Sequence, residues 1–130
     1  RIATGHGANN QSSAAYAIAA QYATERIQGR PFGVKKGDRV PIIKHEDIKR
    51  MLLDMKAHTE GVRAMIYKGY YHIQIAEESE DKEKAKRSKA LVEVFTPLVK
   101  TYASEIAQPL MAEAMQSLRS RNVCHTRLTY

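Results

Sequence analysis

Apolar residues along this chain recur at intervals of three and four and never alternate over the length of a strand, so the pattern predicts helices and no sheet. The clearest stretch opens at His45 to Asp47, whose carboxylates suit the positive end of a helix dipole. It carries Ile48, Met51, Leu52, Met55, Val62, Met65, Ile66, Gly69 and Ile73 over about seven turns. Tyr67, Tyr70 and Tyr71 lie beside that stripe and either widen the buried face or meet a partner.

A preceding helix is predicted over the first 28 residues. Its recurring face, Gly5, Ala8, Ser12, Ala15, Ala19 and Tyr22, consists mostly of small side chains that let another helix come close, with Ile18 and Tyr22 as larger apolar contacts. The helix propensity of alanine offsets Gly5 and Gly7. Gly29, Pro31, Gly33, Gly37 and Pro41 then punctuate a loop over residues 29 to 44. After the second helix, EESEDKEKAK is too polar to be buried and marks a reversal.

A third helical stretch begins near Lys82, with Ala90, Leu91, Val94 and Phe95 expected on its inner face. At Thr96-Pro97 either Thr96 caps a new helix carrying Leu98, Tyr102, Ile106, Leu110 and Leu118, or the two stretches form one kinked helix. Pro109 predicts a second irregularity, and the final RSRNVCHTRLTY has no helical period and is expected to fray. The organisation expected is an all-α domain over residues 1–118 followed by an irregular tail, 119–130.

Composition fits that reading. With 43% hydrophobic and 27% charged residues the chain has the balance of a globular protein. No run approaches the roughly 20 apolar residues of a membrane span, and RIATGHG lacks the order of a signal peptide, which predicts a cytosolic or mitochondrial-matrix location. Cys124 stands alone and cannot close an internal disulfide. The net charge of +7 admits polyanions as partners, nucleic acid and coenzyme A among them. Its basic residues are dispersed, with small clusters at Lys35-Lys36, Lys82 to Lys89 and Arg119 to Arg127, and dispersal fits solvated helix faces better than a stripe that tracks phosphates.

Active-site signatures are sparse. GHGANN has neither the Lys-Ser/Thr of a phosphate loop nor a strand before it. None of the five histidines pairs with another at the spacing that puts two ligands on one helix face, so no metal site is expected, and His58 reads as a partly buried, hydrogen-bonded residue. The carboxylate pairs Glu46-Asp47, Glu77-Glu78 and Glu80-Asp81 fall at helix ends or turns, where capping and solubility account for them. The residues by themselves lead to a basic helical bundle, with a nucleic-acid-binding or oligomerisation module as one reading of it.

Three segments in order resemble the C-terminal domain of acyl-CoA dehydrogenases. AAYAIAAQYATERIQGRPFG is similar to that domain's first helix and its Glu-Arg pair, and Arg1 precedes Arg26 by the 25 residues that separate two arginines in the family. IIKHEDIKRMLLDMKAHTEGVRAMIY resembles the next helix, and KALVEVFTPLVKTYASE is similar to the helix pair of the methylmercaptopropionyl-CoA dehydrogenase-like branch. The resemblance implies an up-and-down helical bundle lacking its last helix, from an FAD-dependent enzyme that removes the α-proton of an acyl-CoA with a glutamate while the β-hydride passes to the flavin. It further implies a homo-oligomer, an electron-transfer acceptor for the complete enzyme, and no nucleic-acid partner.

Residue by residue, Arg26 matches the arginine that reaches FAD, and Gln28 falls in the same flavin-contact stretch. Phe32 is a displaced counterpart of the aromatic residue many relatives carry where Gly29 stands. His45 and Glu46 occupy a His-Gln position, with Glu46 in place of glutamine, and Arg1 matches a substrate-side arginine. Gln116 fits a run that lines the flavin, although Arg119 and Ser120 replace the glycines that follow it. No carboxylate here matches the base, and the Tyr-Glu-Gly-Thr segment that holds it in this branch is absent, so the chain is expected to be a truncated form, inactive on its own.

Overall fold

The computed structural model describes residues 1–34 and 36–119, the side chain of Arg119 excepted. Three helices make up the fold: α1 (Ile2–Glu25), α2 (Glu46–Glu78) and α3 (Lys82–Arg119), with a short 3-10 turn at Ile42–Lys44. Among the described residues there is no strand, only an isolated antiparallel bridge between Ile27 and Pro41. The all-α expectation is met. Of the expected tail, Arg119 closes α3, and the remainder, Cys124 included, lies outside the described residues.

Each helix begins and ends for local reasons. α1 stops at Glu25, three residues short of the expected end, because the next residues leave the helix to pair with the far side of the loop. Glu46 and Asp47 sit in the first turn of α2, and Lys49 Nζ lies 2.8 Å from Glu46 Oε1. The turn into α3 is capped by Asp81, whose Oδ1 accepts from the amides of Glu83 at 3.0 Å and Lys84 at 3.2 Å.

α3 runs as one helix through both prolines, so of the two arrangements expected at Thr96-Pro97 it is the single helix and not a new one capped by Thr96. A proline within a helix deprives the carbonyl four residues earlier of its donor. Here those carbonyls belong to Glu93 and Glu105, exposed residues like Pro97 and Pro109 themselves, so water can serve the carbonyl and the helix continues.

The chain forms two compact units, one of Arg1–Gln11 with His58–Gln108, the other of Ser12–Ala57 with residues from Pro109 onward. The core of the first is Ile2, Val62, Ile66, Val99 and Ala103, with Met65, Ile73, Phe95 and Ile106 packed against it. The small face of α1 has its use there, since a Cβ on Gly5 would stand 2.8 Å from Val99 Cγ1 and 2.9 Å from the Val99 carbonyl oxygen. In the second unit Ser12, Ala19, Ala23, Ile48, Met51, Leu52, Met55, Leu110 and Ala114 are buried, and Arg50 lies 3.7 Å from Glu113.

The inner face of α3 differs from the expected one. Leu91, Phe95, Val99, Ala103, Ile106, Leu110 and Leu118 turn inward to varying degrees, whereas Ala90, Val94, Leu98 and Tyr102 lie on the exposed side, Val94 at 62% and Leu98 at 49%. The close approach at Gly5 requires Val99 inward, and the row that starts at Ala90 is thereby left out. Ile18, expected as an apolar contact of α1, is exposed, and so are Tyr67, Tyr70 and Tyr71.

The two N-terminal glycines make a paired test. Gly5→Ala should destabilise the chain by about 1–3 kcal/mol through overpacking. Gly7→Ala, with nothing within 4 Å of the new methyl, should be neutral or stabilising by up to about 1 kcal/mol. Chemical denaturation of the two variants reads the difference, and equal midpoints would mean that α1 and Val99 do not approach this closely.

Candidate functional site

Of the residues singled out in sequence, Arg26, Gln28 and His45 meet where α1 ends and α2 begins, within the second unit, whereas Arg1 is exposed in the first. Arg26 still donates its amide to Tyr22 O at 2.8 Å, the last helical bond of α1. Its own carbonyl then accepts from Ile42 N at 2.8 Å, Gln28 N donates to Val40 O at 2.9 Å, and Val40 N donates to Gly29 O at 3.1 Å. These bonds close the loop at its base and hold the chain extended from residue 26 to 28.

His45 closes the same loop from the other side. Its Nε2 lies 2.7 Å from the carbonyl oxygen of Gln28, and since a carbonyl only accepts, Nε2 carries the proton and donates. Gly29 makes room for the ring. Its φ is +74°, and a Cβ there would come within 3.2 Å of His45 Cε1 and Nε2.

The half-buried Arg26 is poorly partnered for a cation. Nη2 has Gln28 Oε1 at 3.5 Å, the outer limit of a hydrogen bond, and Nε is closed off from solvent with no partner among the described residues. One helical turn earlier the hydroxyl of Tyr22 is in the same condition. A guanidinium with unused donors suits phosphate oxygens, which accept several hydrogen bonds at once, and the Tyr22 phenol is a second unused donor. Among the described residues no group of three or more His, Cys, Asp or Glu side chains can hold a metal ion.

The structure thus gathers Arg26, Gln28 and His45, with Glu46 next in the chain but engaged with Lys49. Phe32 stands at the tip of the loop, fully exposed. Gln116 is exposed on α3. His58 is half-buried with Nδ1 2.8 Å from the Tyr102 hydroxyl, as the sequence led one to expect. Two features escaped the sequence reading. His72 is buried, with Nδ1 3.4 Å from Ser88 Oγ and its ring stacked on Phe95 at 6.1 Å, and its place one turn after Gly69 in the apolar stripe was the available signal. Tyr22 was read only as an apolar contact, and its spacing of four from Arg26 was the clue to a shared face.

A family model described as acyl-CoA dehydrogenase, C-terminal domain, matches residues 1–118. A butyryl-CoA dehydrogenase of Syntrophomonas wolfei is 37% identical over 116 residues, covering 89% of this chain and 19% of that protein. A 3-methylmercaptopropionyl-CoA dehydrogenase of Ruegeria pomeroyi is 38% identical over 102 residues, 78% of this chain and 17% of that protein. A broad-specificity linear acyl-CoA dehydrogenase of Mycobacterium tuberculosis is 32% identical over 122 residues, 91% of this chain and 20% of that protein. The chain spans at most about a fifth of the length of these relatives.

The unpartnered phenol has a measurable consequence. A buried hydroxyl without a partner carries a desolvation penalty of about 1–3 kcal/mol, so Tyr22→Phe should stabilise the ligand-free chain by about 1 kcal/mol. Thermal denaturation checks this. A loss of stability of the same size would mean that the hydroxyl is hydrogen-bonded in the folded chain.

Proposed function

The chain belongs to the acyl-CoA dehydrogenase family, matching its C-terminal domain, and from that membership we propose that it supplies flavin contacts and subunit association to an FAD-dependent α,β-dehydrogenation of an acyl-CoA thioester. The observation that carries the flavin part is Arg26 Nε, which has no hydrogen-bond partner among the described residues, a condition shared by the Tyr22 hydroxyl four residues earlier. Such donors are costly unless a ligand completes them. The pyrophosphate of a dinucleotide fits this donor set, being a doubly charged acceptor matched to a planar guanidinium.

Bound FAD would supply the acceptor for the β-hydride. Arg26 binds and orients through its guanidinium, and Gln28 extends the same edge with its side-chain amide. Phe32, at the loop tip, and Gln116, on α3, are apolar and polar contacts offered to the same cofactor. Arg1 is a substrate-side cation. Glu46, paired with Lys49, keeps part of its charge neutralised near the anion. Asp81 caps a helix, Glu46 and Glu113 lie near cations, and no carboxylate of the chain is offered as the base. Proton abstraction is assigned to another part of the enzyme.

The association part rests on the exposed apolar row Val94, Leu98 and Tyr102 of α3, which a second copy would cover. No described helix is long and apolar enough to cross a membrane, so a bilayer-spanning role for that row is not the alternative.

Two measurements check these roles. In the complete flavoenzyme Arg26→Ala should weaken FAD retention by about 1–3 kcal/mol, the effect of losing a charge-assisted hydrogen bond, and unchanged flavin content on dilution would reduce Arg26 to a structural residue. In sedimentation the chain should self-associate with rising concentration, and Leu98→Glu should shift it toward monomer. A monomer at every accessible concentration would remove the association role.

A further inference from the structure

We infer that His45 is a positioning residue for the Arg26–Gln28 segment, acting through its bond to the Gln28 carbonyl and not as a ligand of the anion. This rests on the reading of Arg26 as a pyrophosphate-binding cation, and it changes the role of His45 from contact to support. The donor that a ligand would need, Nε2–H, is already committed at 2.7 Å to Gln28 O. The ring lies against Gly29, where a Cβ would come within 3.2 Å of it on a backbone of φ +74°, so ring and backbone are closely fitted. His45 also stands immediately before α2, on a carbonyl-to-amide turn from Ile42 O to His45 N at 3.0 Å. It therefore joins the start of α2 to the segment leaving α1.

The segment so held has little else to fix it. Gln28 has one backbone bond through its amide and the His45 bond through its carbonyl, and Arg26 has its amide on α1 and its carbonyl on Ile42. Among the described residues the guanidinium itself has only the long contact to Gln28 Oε1. Loss of the His45 donor frees the Gln28 carbonyl and, with it, the residue against which Arg26 rests. A ligand-binding arginine displaced by even a small distance loses bidentate geometry, which is why support matters for affinity.

The stereochemistry of substitution gives a sharp test. In glutamine the side-chain nitrogen is separated from Cβ by the same number of bonds as Nε2 of histidine, so His45→Gln keeps a donor at that reach. In asparagine the nitrogen falls where Nδ1 sits, so His45→Asn keeps an amide but misplaces it. Amide hydrogen exchange of the full chain should quicken roughly three- to tenfold at Gln28, Val40 and Ile42 in His45→Ala and His45→Asn, the range for losing one hydrogen bond, and return to the wild-type rate in His45→Gln. In parallel, ADP is titrated as the pyrophosphate probe and the Arg26 Nε–Hε resonance is followed. Affinity should fall by a similar factor in the alanine and asparagine variants and recover in the glutamine variant.

Unchanged exchange in His45→Ala and His45→Asn overturns the inference, and so does failure of glutamine to restore it. Altered exchange with equal ADP affinity in all variants also overturns it, since the loop would then be secured without positioning Arg26. If ADP leaves Arg26 unmoved in the wild type, the pyrophosphate reading fails, and the exchange pattern alone then decides whether His45 holds the segment. Should the alanine variant lose helix content, the asparagine and glutamine pair carries the comparison.

Discussion

Where Gly5 meets the backbone of Val99, two helices come together with no room for a methyl group, and that contact fixes how α3 is turned within the first unit. α3 carries two parallel apolar rows one residue apart, Leu91–Phe95–Val99–Ala103 and Ala90–Val94–Leu98–Tyr102, and a rotation of about 100° exchanges them. Only the first row puts Val99 against the glycine. The larger side chains of the second row are consequently left on the exposed side, where they form the surface proposed for association. One absent Cβ thus sets both a core and a surface.

In the second unit the corresponding constraint is made of backbone bonds. Bonds from Gln28 to Val40, Val40 to Gly29 and Ile42 to Arg26 close a loop whose tip, with Phe32, is exposed. Closure at the base lets the tip vary without moving the residues below it. Arg26 and Gln28 belong to the base, so their placement depends on α1, the bridge and His45, while Phe32 depends on the loop conformation alone. If the pyrophosphate reading holds, anion binding is the rigid part of this site and the aromatic contact the adjustable part.

Much of this was legible in residue order. The period of α2 is long enough to outvote local noise, Gly29 to Pro41 could be nothing but a loop, and Asp81 at a polar reversal read as a capping residue. The rotation of α3 was not legible, because either row satisfies the same helical period and the choice lies in a contact with a residue more than ninety positions away. The choice between one helix and two at Thr96-Pro97 was left open, since whether a proline interrupts a helix depends on which side faces water, a property of packing. At the candidate site the family resemblance singled out Arg26, Gln28 and His45, and the structure brings those three together. It was silent on which hydrogen-bond donors would be left over, because a leftover exists only once every other partner has been placed.

The prolines of α3 carry a consequence for whatever covers its outer row. Pro97 and Pro109 withdraw the usual donors from the carbonyls of Glu93 and Glu105, which lie 12 residues apart on the helix that presents Val94, Leu98 and Tyr102. At 1.5 Å per residue the two acceptors are separated by about 18 Å along the axis. A purely greasy partner that slides along the row would dehydrate one or both of them, at a cost of about 1–3 kcal/mol each. A partner that keeps water at those two points, or brings an N–H to each, avoids that cost in only one alignment. In the association proposed for that row, the two prolines would therefore act as a vernier, setting where along α3 a second surface can come to rest.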